Sequence, residues 1–194
     1  MPRRIFDLML SAGGVVLAVV LLVAGGLLFW GYRFADGSVR EQLAAQRIFF
    51  PPPGSEALAD PEIGPYLNKY AGQQLLTGDQ AKAYADHFIA VHLKEVAGGK
   101  TYAEVSALAL QNPDDPELQA QAQTLFRGET LRGLLLNVYG WWKMGQLALI
   151  GSIVAFALGG LMVVLSALGF WHLQRVPPTE QVFAELLEAR ERAA

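Results

Sequence analysis

Residues Leu8–Tyr32 read LMLSAGGVVLAVVLLVAGGLLFWGY, without one charged side chain. A second uncharged run, Met144–Trp171, reads MGQLALIGSIVAFALGGLMVVLSALGFW. A helix needs about 20 apolar residues to cross the hydrocarbon core of a bilayer, and both runs exceed that. The pair therefore predicts two transmembrane helices, 8–32 and 144–171. Between them lies a block of soluble character, 33–143. A short N-terminal segment, 1–7, and a tail, 172–194, complete the division.

The rest of the chain is read outward from that frame. The 194 residues leave room for one modest domain besides the spans. The block 33–143 carries ten basic and thirteen acidic residues, dispersed along its length. A slightly acidic, dispersed balance lacks the basic stripe that nucleic acid requires, so no nucleic-acid partner is expected. There is no cysteine, which excludes disulfides, a thiol nucleophile and thiolate-held metals.

The first run is too long for a cleavable signal core and is followed by no A-x-A site, so it reads as an uncleaved anchor. Arg3 and Arg4 precede the first span and Arg175 follows the second. Counted near span ends, these favour cytoplasmic termini. Arg33, Arg40, Arg132 and Lys143 stand on the other side, but a long block is exported largely regardless of charge. The expectation is a multi-pass protein of the plasma membrane with both termini cytoplasmic. Trp30 and Tyr32 end the first span, and Tyr139, Trp141 and Trp142 open the second. With Phe6, Phe170 and Trp171 at the opposite ends, they form two aromatic belts suited to an antiparallel hairpin of spans.

Small residues recur at four-residue steps: Gly14, Ala18 and Gly26 in the first span, and Gly151, Ala155, Gly159 and Ala167 in the second. Such spacing puts them on one helix face, where backbones can approach closely, and predicts a helix–helix seam within the chain or with a partner. Neither span holds an ionisable residue, which argues against an ion pathway.

Within the block, Ser38 and Glu41 form a capping-box pattern and predict a short helix over 39–46. Ile48-Phe49-Phe50 runs into Pro51-Pro52-Pro53, an extended stretch whose phenylalanines are expected to anchor in the core. Thr77 or Asp79 caps a helix to about Val96, stopped by Gly98-Gly99. Its apolar positions are Tyr84, Phe88, Ile89 and Val91, with Ala81 and Ala85 behind. Thr101 and Glu104 open a helix to about Gln111, stopped at Asn112-Pro113. Asp115-Pro116-Glu117 opens a third, with no breaker before the second span. The third helix is thus expected to continue into the span.

No pattern carries a specific chemistry. His87 and His92 are five apart and do not share a helix face, and the His92–Glu95 pair is single. No nucleophile elbow, P-loop, dinucleotide fingerprint or calcium loop is present. Lys82 and Asp86 read as a surface pair at i,i+4. The most particular stretch is Leu125–Trp142, LFRGETLRGLLLNVYGWW. There Arg127, Arg132, Trp141 and Trp142 are the candidates for contact with a partner or with lipid.

The runs AGQQLLTGDQAKAYADHFIAVHL (71–93), GKTYAEVSALA (99–109) and LFRGETLRGLLLNVYGWW (125–142) resemble two-span membrane proteins of actinobacteria whose function is unknown. The resemblance covers most of 40–142. It implies topology and taxon, and assigns no activity and no site residue.

The sequence thus predicts an all-α membrane protein, with two transmembrane helices flanking a small helical extracytoplasmic domain. The function expected of it is a non-enzymatic subunit that stabilises a larger membrane complex, with a ligand-binding or sensory module as the alternative. The expected partners are the lipid bilayer and a membrane protein or a second copy. No cofactor and no metal is expected. Pro177-Pro178 should break the second span, and Thr179 should cap a short amphipathic helix over 180–192.

Overall fold

The computed structural model describes residues 2–175 and Pro177. The helix expected over 180–192 lies outside the described residues. Among these residues, helices are the regular elements and the extended chain makes one isolated bridge, Phe49 with Gln74. The helices are α1 (Arg3–Gln46), α2 (Glu56–Ala59), α3 (Gly64–Leu67), α4 (Gly78–Tyr84), α5 (Ala90–Val96), α6 (Tyr102–Gln111) and α7 (Pro116–Leu173). A 3₁₀ turn, Asn68–Tyr70, follows α3, and a π-helical segment, Ala85–Ile89, joins α4 to α5. The chain divides into two compact units, Tyr32–Leu147 and the remainder.

α1 and α7 are long and apolar enough to cross a membrane. In the most apolar window of each, 17% of residues are buried, whereas the core helix of a soluble domain would bury most of its surface. The two apolar segments pack on each other through small residues. Ser152 Oγ donates to the Gly25 carbonyl at 2.9 Å. Ala18 and Ala155 are buried, Gly14 faces Ser166, and Gly169 faces Ser11. A Cβ on Gly159 would lie 3.0 Å from Leu22, and one on Gly151 3.3 Å from Leu28. Gly26 and Ala167 do not join this face: Gly26 has open space around it and Ala167 is exposed. Their neighbours Gly25 and Ser166 are buried instead. A strict four-residue step drifts about 40° at every step on a helix of 3.6 residues per turn, so a stripe counted in fours walks off the contact face.

In the unit Tyr32–Leu147, α1 does not restart at Ser38. The expected helix over 39–46 is the end of one helix that begins at Arg3. A capping box needs extended backbone at its first residue, and here the helix simply propagates; Ser38 Oγ accepts from Gln42 Nε2 at 3.0 Å instead. α1 ends where Arg47 turns to φ 52°, and Gln74 Nε2 caps the Ala44 carbonyl at 3.0 Å. Phe50 then enters the core beside Tyr70 and Tyr84, while Phe49 is 56% exposed, so one of the two expected anchors anchors. Period-two geometry requires this: consecutive residues of an extended strand point to opposite sides.

The two capping boxes further on form. Thr77 exchanges bonds with Gln80, and Thr101 with Glu104. Asp115 Oδ1 accepts from the amides of Glu117 and Leu118 and starts α7. Gly98 and Gly99, at φ 58° and 83°, end α5 in the left-handed region that glycine reaches without strain. The core joins Val39 and Leu43 of α1 to Leu67, Leu75, Ala81, Ala85, Val105, Leu125 and Leu135. Ala81 and Ala85 sit at its centre with no exposure, because small side chains let α4 pack close. Gly78 lies directly under Trp142, where a Cβ would stand 2.5 Å from the Trp142 Cβ.

Candidate partner interface on α7

α7 divides its residues by side. Leu125 and Leu135 point into the core, and Trp142 closes over Gly78. Arg132 is on the same side. Its Nη2 meets Asp86 Oδ1 at 3.3 Å and its Nη1 meets Glu129 at 3.4 Å. Asp86 also pairs with Lys82. Burial pushes the Asp86 carboxyl up, but the hydrogen bonds and charges of Lys82 and Arg132 outweigh it and hold the group below its ordinary value. This network ties the π-helical segment to α7 across 46 residues of sequence. Next to it His87 stacks on Tyr66, ring centroids 3.5 Å apart, and burial raises the Tyr84 hydroxyl. His92 Nδ1 lies 2.8 Å from the Phe88 carbonyl. Among the described residues no three His, Asp or Glu side chains gather as a metal set.

The opposite side of α7 is different in kind. Phe126, Thr130, Gly133, Asn137, Gly140, Trp141 and Met144 are all exposed, and none is charged. They recur at three- and four-residue steps, which is one helix face. Thr130 Oγ1 donates back to the Phe126 carbonyl at 2.7 Å, so it satisfies its hydroxyl locally. Gly133 and Gly140 have no atom near the position a Cβ would take. Each costs about 1 kcal/mol against alanine in a helix interior. Gly128, by contrast, is explained within the chain, because Leu93 fills the space beside it.

Two clefts flank this face. Near its start, α6 and α7 bound a cleft of about 330 Å³, with Tyr102, Leu110 and Phe126 on its walls. Leu110 is 81% exposed, and the Tyr102 and Phe126 rings stand 5.7 Å apart. Near its end, α1 and α7 bound a groove of about 250 Å³ lined by Phe34, Ala35, Ser38, Val39, Gln42, Asn137, Val138 and Trp141.

Of the four residues singled out from sequence, Trp141 lies on this face, 63% exposed. Arg127 is exposed at its edge. Arg132 and Trp142 are turned inward, to the ion network and to Gly78. The small-residue set belongs to the other unit. Sequence reasoning missed Phe126, Asn137, Gly133 and Gly140 as one face. The signal was the seven-residue step from Gly133 to Gly140 within a stretch already expected to be helical.

Comparison with protein-family models, with curated proteins and with solved structures gives no match.

Proposed function

We propose that this chain is a non-enzymatic, two-span membrane subunit that stabilises a larger membrane complex. In this reading its helical domain lies outside the cytoplasm and both termini lie within. One observation carries it: the uncharged exposed face of α7 from Phe126 to Met144. An exposed helix face in water is normally charged, and an uncharged one that presents Phe126, Trp141 and Met144 fits a contact surface. Gly133 and Gly140 give that surface room for a partner helix to approach closely. The low burial of the two long apolar helices supports lipid as their surroundings.

The test is gentle solubilisation of the native membrane followed by native mass measurement. A subunit travels in a stoichiometric assembly with a different chain. Replacing Gly133 and Gly140 together by leucine should release it, since neither touches its own domain. A wild-type chain that runs alone, or as a small homo-oligomer, favours the sensory alternative and removes this proposal.

A further inference from the structure

We propose that the groove between α1 and α7 at Phe34, Ser38, Gln42, Asn137 and Trp141 holds one glycerolipid with an uncharged, hydroxyl-bearing headgroup. The inference rests on the membrane reading; Asn137 and Trp141 are shared with the exposed face of α7, so the lipid is tested on the chain purified away from any partner. The groove lies wholly within the unit Tyr32–Leu147. Its depth is set by sequence: Phe34 stands two residues past the first apolar run, and Trp141 three before the second. That places it at the level where aromatic rings meet headgroups.

Its lining is graded. Phe34 and Trp141, each 63% exposed, are the lining residues of their helices nearest the apolar runs along the chain. Ser38 and Gln42, at steps of four along α1, and Asn137, four before Trp141 on α7, stand further from them. Apolar rings toward the bilayer and hydrogen-bonding groups toward water are the order of an acyl ester and its headgroup. Gln42 donates to Ser38 at 3.0 Å. That bond leaves unused the Gln42 amide oxygen and the Ser38 hydroxyl hydrogen, one acceptor and one donor. Asn137 adds two donors and an acceptor from the facing wall.

Charge decides the headgroup class. None of the eight lining residues is ionisable. A phosphate placed there would lose hydration with no lining cation to offset it. A sugar or glycerol hydroxyl exchanges hydrogen bonds with amide and hydroxyl groups at no such cost.

The purified full chain in non-ionic detergent would be offered monogalactosyl diacylglycerol or phosphatidylglycerol with the same acyl chains. Native mass spectrometry reads the fraction carrying one lipid. The galactolipid should be retained one to one, and better than the phospholipid. Asn137→Leu and Trp141→Ala should each lower retention about fivefold, with helix content unchanged because both side chains are exposed. Leu110→Ala, at the far end of the domain, should change nothing. Equal or better retention of phosphatidylglycerol overturns the proposal, as does full retention by Asn137→Leu or an equal loss in Leu110→Ala. A chain recovered without detergent in the soluble fraction overturns the membrane reading and this proposal with it, and is seen before any lipid is added.

Discussion

Asp86 shows how a residue that looks ordinary in sequence becomes a tie between elements. With Lys82 it is a pair at i,i+4, worth a few tenths of a kcal/mol on an exposed helix. In the fold it also meets Arg132 of α7, and its side chain is only 22% exposed. Both cations lower its carboxyl below the ordinary 3.8. A carboxyl lowered in the folded state contributes stability that is complete above the unfolded value and is lost as pH falls through the folded one. Melting temperature should therefore drop as pH is taken below about 4. Asp86→Asn should cost about 1 kcal/mol at neutral pH and flatten that acid-side slope. Thermal melts of both proteins from neutral to strongly acid pH check it; equal slopes would show that Asp86 is not linked to folding.

At the scale of elements, start and stop chemistry is local and was legible. Thr77, Thr101 and Asp115 cap the helices they announce, and Gly98-Gly99 ends α5. Ser38 carries the same signature and caps nothing, because a capping pattern inside a helix already propagating has no free amides to satisfy. The contact face of the long helices was legible in character but not in register. Gly14, Ala18, Gly151, Ala155 and Gly159 lie where α1 and α7 pack, and Gly26 and Ala167 do not. A substitution pair separates the two groups. Gly159→Leu should force Leu22 aside and lower the melting temperature in detergent, by about 1–3 kcal/mol of overpacking. Gly26→Leu should leave it unchanged, since nothing stands near it. Equal behaviour of the two variants would mean that the pairing of these helices does not depend on the face described.

For the whole molecule, the expected topology has a direct readout, because the chain has no native thiol. Asp114 is exposed in the turn before α7 and suits a reporter cysteine. In intact cells an impermeant thiol reagent should label Asp114→Cys and not Thr179→Cys. The reverse pattern would invert the chain in the membrane. By itself the sequence determined the two long apolar helices, the helical class of the block between them and most helix ends. These follow from hydropathy, length and caps, which act within a few residues. Only the tertiary structure decided which side of α7 is spent on the core. Trp142 and Arg132 were drawn inward by Gly78 and Asp86, which lie far away in sequence. Phe126, Asn137 and Trp141 were left outward as a result. A helix presents every residue somewhere; which side meets solvent depends on where distant segments pack, and no local pattern carries that information.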